Sequence, residues 1–229
     1  MQRFTYLLID FFTVIVCFVA SFDTRIQFSK YFKTYLLSST IVAIPFIAWD
    51  IWFTHKGVWW FNTDYTIGLI LAGLPIEECL FFYCIPFSCV FTYYCLEIFF
   101  DLRWTQKMNT SIVIITVLIC SITAFLHSDK IYTFVTALST IFTLLFLQFI
   151  AKKVWIGQAS FTYLILMLGF IPVNGILTGT GIESPIVNYN PKDFLGIRIL
   201  TIPIEDAVYG YSQFLMQIFF FKWVKGRIS

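Results

Sequence analysis

Residues 61–83 read FNTDYTIGLILAGLPIEECLFFY, and residues 189–211 read YNPKDFLGIRILTIPIEDAVYGY. The two stretches align without a gap, and three features coincide: Asn62 with Asn190, Gly68 with Gly196, and Pro75-Ile76-Glu77-Glu78 with Pro203-Ile204-Glu205-Asp206. We call each of the two Pro-Ile-Glu-acid sequences the acidic motif. Each motif stands at the start of an apolar stretch. The repeat therefore predicts two similar halves, each with a helix that begins at the acidic motif.

The similarity continues upstream of each repeat, after a small change in loop length. Phe46-Ile47 and Asp50 match Phe170-Ile171 and Asn174. Each repeat therefore contains an apolar segment, a loop and a second apolar segment that begins at the acidic motif.

The composition excludes an ordinary water-soluble fold. Hydrophobic residues make up 59% of the 229 residues and charged residues 12%, whereas soluble domains have roughly 45–50% apolar and about 25% charged residues. The mean hydropathy is +0.83. A net charge of +2 without a long basic run gives no reason to expect a nucleic-acid partner.

Apolar stretches of the length that crosses a membrane, about 20 residues, occur seven times: 4–22, 34–53, 76–99, 109–126, 131–150, 158–178 and 203–221. The connections are short and polar, so no soluble domain is expected. The first stretch contains Asp10 and has no small-residue cleavage site, which predicts a retained helix. The predicted fold class is all-α, an integral membrane bundle of about seven transmembrane helices.

The predicted organisation is one membrane domain, 1–229, with an internal parallel repeat. The first half is 1–103 with three helices, the connector helix is 104–130, and the second half is 131–229 with three helices. The repeated segments lie an even number of helices apart, so both halves cross the membrane in the same direction.

The distribution of Lys and Arg predicts the orientation in the membrane. One side carries five of them: Arg3, Lys56, Lys130, Lys192 and Arg198. The other side carries ten: Arg25, Lys30, Lys33, Arg103, Lys107, Lys152, Lys153, Lys222, Lys225 and Arg227. Since cytoplasmic loops are enriched in positive charge, we expect a multi-pass protein of the bacterial cell membrane with a cytoplasmic C-terminus.

Six carboxyl groups fall near one face of the predicted bundle: Asp10, Asp50, Glu77, Glu78, Glu205 and Asp206. Ionisable residues inside a membrane are costly, so each is a candidate for function. A Pro followed by acids is also an ordinary helix start. Two such motifs at equivalent positions, joined by Asp10 and Asp50, favour a functional layer over simple capping.

Aromatic side chains surround these acids. Phe81 and Tyr209 lie four residues after Glu77 and Glu205, on the same helix face as those acids. Trp59 and Trp60 are interpreted as part of an interfacial aromatic belt. A carboxylic acid that donates a proton beside aromatic rings is suited to making a carbocation, because the rings stabilise positive charge.

The sequence lacks the motifs that several other kinds of active site require. No GxGxxG or P-loop sequence is present for a nucleotide or flavin, no DxxxD pair for a magnesium-bound diphosphate, and no Lys in the middle of the last segment for a retinal Schiff base. The histidines, His55 and His127, both lie near loops. The six cysteines form no CxxC pair and are interpreted as small packing residues. We therefore expect no cofactor and no metal.

Two sets of residues resemble the small bacterial and archaeal lycopene cyclases, in which the two halves are separate chains in some members. The first set is similar to the first half: Ile47-Ala48-Trp49-Asp50-Ile51, Gly57-Val58-Trp59-Trp60-Phe61-Asn62, Leu74-Pro75-Ile76-Glu77-Glu78 and Phe81-Phe82. The second is similar to the second half: Gly196-Ile197-Arg198, Ile202-Pro203-Ile204-Glu205-Asp206 and Tyr209-Gly210. The departures are Trp60, where a small residue is expected, and Thr63, where Pro is expected.

The resemblance implies an intramolecular lyase or isomerase, a lycopene β-cyclase that closes the linear ends of lycopene into β-rings and forms β-carotene through a one-ringed intermediate. Substrate and product are isomers, which agrees with the absence of a redox cofactor. On this basis the acid–base set is Glu77, Glu78, Glu205 and Asp206, with Glu205 as the first choice of proton donor. Asp50, Arg198 and Asp10 are supporting residues, and Trp49, Phe81, Phe82 and Tyr209 are expected to bind substrate.

The expected partners are lycopene and the lipid bilayer, and association with other enzymes of carotenoid biosynthesis is a further expectation. Three alternatives stay open. One is a cyclase of another carotenoid, such as a C50 type or one that leaves a different ring alkene. The others are a non-catalytic carotenoid or lipid carrier and a small proton-linked transporter, which would have parallel halves as well.

Overall fold

The computed structural model describes residues 2–101 and 104–228. Within them lie seven α-helices: α1 (Thr5–Ala20), α2 (Phe32–Lys56), α3 (Ile76–Phe99), α4 (Gln106–Leu126), α5 (Ile131–Leu145), α6 (Ile156–Leu177) and α7 (Ile204–Ile228). The predicted all-α bundle is confirmed. Arg103, which was counted above for the orientation, lies outside the described residues.

Six helical segments are long and apolar enough to cross a membrane: Gln2–Ala20, Phe28–Lys56, Ile76–Phe99, Gln106–Leu126, Ile131–Ile150 and Ile156–Leu177. The chain is accordingly a multi-pass membrane protein. Helix α7 is as long as α2 but more polar, because it has acids in its first turn and basic residues in its last. Its glutamines, Gln213 and Gln217, are buried inside the bundle.

Two helices run past their predicted C-terminal ends. Helix α2 was predicted at 34–53 but continues to Lys56, where Gly57 ends it in the left-handed conformation. Helix α7 was predicted to stop at residue 221 but runs to Ile228. Its last turns remain helical because basic side chains suit a helix C-terminus, and Lys225 lies 4.1 Å from the ring centre of Tyr31.

The repeat appears in the structure as two matching β-hairpins, one before α3 and one before α7. Strands β2 (Ile70–Leu71) and β3 (Leu74–Pro75) pair antiparallel, and so do β5 (Arg198–Ile199) and β6 (Ile202–Pro203). Gly68 and Gly196 precede them at φ +86° and +80°, a backbone region that glycine adopts readily. The shared glycine is thus explained by the shared hairpin.

A third strand pair joins the two halves directly. Strands β1 (Trp59–Phe61) and β4 (Val187–Tyr189) are antiparallel, with Trp60 opposite Asn188 at the centre. Trp60 and Asn188 immediately precede the aligned stretches 61–83 and 189–211, so they occupy equivalent positions and the pairing is the same from either strand. An antiparallel pair of equivalent strands indicates a pseudo-two-fold axis between the halves. For parallel halves, this axis lies along the membrane normal.

The bundle is packed largely with aromatic rings at the end far from the acidic motifs. Phe28 is fully buried, and its ring centre lies 5.6 Å from that of Phe87 and 5.8 Å from that of Phe221. Ring pairs of this kind stabilise a core beyond their buried area. They account for part of the high Phe content.

Candidate active site

A long, mostly apolar cavity of about 560 Å³ lies inside the bundle. Helices α1, α2, α3, α5, α6 and α7 contribute to its wall. On α3 the lining residues run from Glu78 to Thr92, which is about 20 Å along the axis at 1.5 Å per residue. The carboxyl groups of Asp50, Glu78 and Asp206 lie together at one end, where the helices with the acidic motifs begin.

Asp50 and Glu78 form a carboxyl–carboxyl pair at this end of the cavity. Both are buried, and their side chains are within hydrogen-bonding reach of each other. Two carboxyl groups in such contact cannot both be ionised, so the pair must hold at least one proton. The Tyr6 hydroxyl donates to Glu78 at 2.6 Å, and the Tyr209 hydroxyl donates to Asp50 at 3.1 Å.

Asp206 has a different environment from that pair. Its two carboxyl oxygens accept hydrogen bonds from the hydroxyls of Tyr132 at 2.6 Å and Tyr189 at 2.8 Å. Burial, together with the neighbouring Asp206 carboxyl, raises the pKa of the Tyr189 hydroxyl well above 10. The hydroxyl therefore stays protonated and donates a hydrogen bond to Asp206. These two hydrogen bonds favour the ionised form of Asp206 and oppose the effect of burial, which favours the protonated form.

The first acid of each motif braces a loop. A carboxyl oxygen of Glu77 accepts from the backbone N–H of Ile67 at 2.7 Å, and one of Glu205 accepts from that of Leu195 at 2.8 Å. The Thr133 hydroxyl also donates to Glu205, at 2.6 Å. Neither glutamate lines the cavity. These contacts tie each hairpin to the helix it precedes.

The other predicted site residues divide between the cavity and its surroundings. Phe81 and Tyr209 line the cavity, whereas Trp49 and Phe82 pack behind it. The Trp49 ring centre lies 4.8 Å from that of Tyr209, so Trp49 holds that tyrosine from behind. The i,i+4 spacing suggested a contact of Tyr209 with Glu205, but the Tyr209 hydroxyl contacts Asp50.

Asp10 and Arg198 lie near the acids but outside the cavity wall. Asp10 is buried, and its carboxyl oxygens have no hydrogen-bond partner among the described residues. Arg198 is exposed, donates to the carbonyl of Thr201, and lies with its guanidinium 5.6 Å from the ring centre of Tyr189. The Tyr189 hydroxyl in turn donates to Asp206, so Arg198 lies next to a hydrogen-bond partner of this acid.

Trp59 corrects one interpretation made from the sequence. It was assigned to an interfacial belt, but it is 5% exposed and lines the cavity, with its ring centre 5.2 Å from that of Tyr132. The belt interpretation is wrong for Trp59, because the β1–β4 pair folds this residue inward. Trp60 points the other way and is 48% exposed.

Three tyrosines at the site were missed by reasoning from the sequence: Tyr6, Tyr132 and Tyr189. Tyr6 is the second residue of α1, and Tyr132 is the second residue of α5. Extending the repeat to these two helices would have found both. Tyr189 gave no comparable signal, because its repeat partner is Phe61.

The pseudo-two-fold symmetry is broken at the residues that carry the chemistry. Asp50 corresponds to Asn174, and Tyr209 corresponds to Phe81. The Asp50–Tyr209 hydrogen bond has therefore no counterpart in the other half. The cavity has one carboxyl pair, formed by Asp50 and Glu78, and one separate carboxyl group, Asp206.

This arrangement suits acid–base chemistry on a hydrocarbon. One carboxyl pair holds a proton, a separate carboxylate can accept one, and the rings of Trp59, Phe81 and Tyr209 face the same space. Aromatic faces attract a positive charge, and an apolar wall excludes water that would trap a carbocation.

Comparison with known proteins agrees with this chemistry. A search of the curated proteins gave no match, and neither did a search of the solved structures. A family profile described as "Lycopene cyclase" matches residues 3–96 and 129–224, one segment for each half. These two segments cover more than half of the chain and leave α4 between them. The chain therefore belongs to the lycopene cyclase family.

Proposed function

We propose that this protein is a lycopene β-cyclase, which closes the linear ends of lycopene into β-rings within the membrane. The observation that carries the proposal is the grouping of Asp50, Glu78 and Asp206 with aromatic rings at one end of a long apolar cavity. The cavity suits an extended hydrocarbon, and its polar end suits proton transfer. Family membership supports the cyclisation of a carotenoid.

In the first step Glu78 donates a proton to the terminal double bond of the substrate. Glu78 is preferred to Glu205 because Glu78 lines the cavity, whereas Glu205 is turned to the Leu195 loop. When both Asp50 and Glu78 are protonated, loss of one proton leaves the other shared between them. The Tyr6 hydroxyl also stabilises the new carboxylate.

In the second step the tertiary cation at the chain end is attacked by the neighbouring internal double bond. A carbon–carbon bond closes the six-membered ring and moves the positive charge to a ring carbon. Trp59, Phe81 and Tyr209 line the same end of the cavity as the acids, so their ring faces can stabilise the cation in both positions.

In the last step Asp206 takes a proton from the carbon next to the cation, and the electrons of that C–H bond form the ring double bond. The hydrogen bonds from Tyr132 and Tyr189 hold the Asp206 carboxylate in place. Arg198 acts on this base through the Tyr189 ring. One proton is added and one is removed, so the reaction is redox-neutral.

Expression of this chain in a lycopene-accumulating bacterium tests the proposal. We expect lycopene to be converted to β-carotene, with the one-ringed γ-carotene appearing earlier in the time course. Chromatography with standards for the β-, ε- and γ-ring products separates the expected ring from the others. Unchanged lycopene, in cells where the protein is present in the membrane, would contradict the proposal. A different ring alkene would restrict it to a cyclase of other specificity.

A further inference from the structure

The two halves differ in how their middle helices, α2 and α6, meet the cavity. Aligned through Phe46 and Phe170, the two helices correspond along most of their length. Within its most apolar window, α2 has 39% of its residues buried and α6 has 17%. Helix α2 contributes only Asp50 to the cavity wall, whereas α6 contributes a continuous run from Ile165 to Phe170.

The cavity wall reaches the outer surface of the bundle at α6. Among the residues that line the cavity, those classed as exposed are Leu168, Gly169 and Pro172, all on α6. Leu168 is 79% exposed. A Cβ atom placed on Gly169 would meet no heavy atom within 4 Å. The same residues thus face both the cavity and the surface that contacts lipid.

We infer that Leu168, Gly169 and Pro172 form a lateral portal, through which a carotenoid enters the cavity from the hydrocarbon layer of the membrane and leaves it again. This inference rests on the proposed function, because it takes a carotenoid as the ligand. The occupant is a hydrocarbon chain, since the portal opens at mid-helix on an apolar surface and continues into the cavity that ends at Glu78.

Gly169 is the position at which an added side chain would narrow the portal. Its backbone has ordinary helical geometry and its Cβ position is free, so a larger side chain fits without strain and fills the opening. A cyclised end is wider than a linear end, and both must pass the same opening. Narrowing the portal therefore slows the release of the product more than the entry of the substrate.

The test is a size series at position 169: Gly169→Ala, Gly169→Val and Gly169→Phe. The matched control is Ile44→Phe, because Ile44 is 64% exposed on α2, corresponds to Leu168, and does not line the cavity. Initial rates of ring formation are measured in membranes with matched amounts of folded protein. The thermal transition of each purified variant reports its stability.

We expect the initial rate of ring formation to fall as the side chain at position 169 grows from Ala to Val to Phe. The rate of Gly169→Phe should be about tenfold lower than that of the wild type, as an added barrier of about 1.4 kcal/mol would give. In the smaller variants kcat should fall more than kcat/KM. Ile44→Phe should match the wild type. Equal rates for Gly169→Phe and Ile44→Phe, with an active wild type, would overturn the portal. An inactive wild type would instead contradict the proposed function.

Discussion

Glu78→Gln is expected to abolish ring formation, with the rate of cyclisation lowered at least about 10²-fold, as general acids contribute 10²–10⁴-fold. Glutamine keeps the size of the side chain and its contact with the Tyr6 hydroxyl, but it has no acidic proton to donate. The product profile of a lycopene-accumulating host and the initial rate in isolated membranes both measure the effect.

The control for this variant is Glu97→Gln, at the other end of the same helix. Glu97 pairs with Lys222 near the surface and does not line the long cavity. The Glu97→Gln variant should therefore convert lycopene at the wild-type rate. If Glu78→Gln retained wild-type conversion at the same protein level, Glu78 would not be the proton donor.

Asp206→Asn is expected to produce the second large loss, also of about 10²-fold, because the asparagine amide cannot remove a proton. Its one oxygen can accept from only one of the two tyrosine hydroxyls that bond to Asp206. The expected result differs in kind from that of Glu78→Gln. The ring cation still forms, so the small amount of remaining product should contain ring alkenes other than the β type. Liquid chromatography of the ring isomers measures this ratio.

Asp64→Asn serves as the control for Asp206→Asn. Asp64 is exposed in the loop after β1, and its replacement changes the charge by the same amount. Its rate and its ring isomers should be those of the wild type. A wild-type product ratio from Asp206→Asn would show that another group removes the proton.

The sequence was sufficient to predict the helices and the repeat. Apolar runs of about 20 residues leave little choice of structure in a membrane, because only a helix satisfies its own backbone there. The burial of all six acids also followed from their place in such runs. These predictions depend on local composition, which a single sequence contains.

The separation of the two acids within each motif could not be predicted. Glu77 and Glu78 are neighbours, and successive side chains on a helix point about 100° apart. Which of them faces the cavity depends on how α3 packs against its neighbours. The choice of Glu205 as donor relied on its spacing from Tyr209, but that tyrosine turned to Asp50 on α2.

The β-strands were missed for another reason. The hairpins have strands of two residues, and the β1–β4 pair has strands of three, taken from distant parts of the chain. Such short runs carry no alternating pattern to recognise. The positive φ angles of Ala72 and Leu200 in the two hairpin turns are equally invisible, because neither residue type favours that region.

We propose that the second acid of each motif performs the chemistry, whereas the first acid braces a loop. The most direct test compares Glu78→Gln with Glu77→Gln in the same lycopene-accumulating host, at matched amounts of folded protein. In the Glu77→Gln variant, the side-chain carbonyl of the introduced glutamine can still accept from the Ile67 N–H. We predict ring products from Glu77→Gln at no less than about a tenth of the wild-type rate, and none from Glu78→Gln, since only the latter loses the donor. Ring products from Glu78→Gln and none from folded Glu77→Gln would show that the two acids do not have these roles.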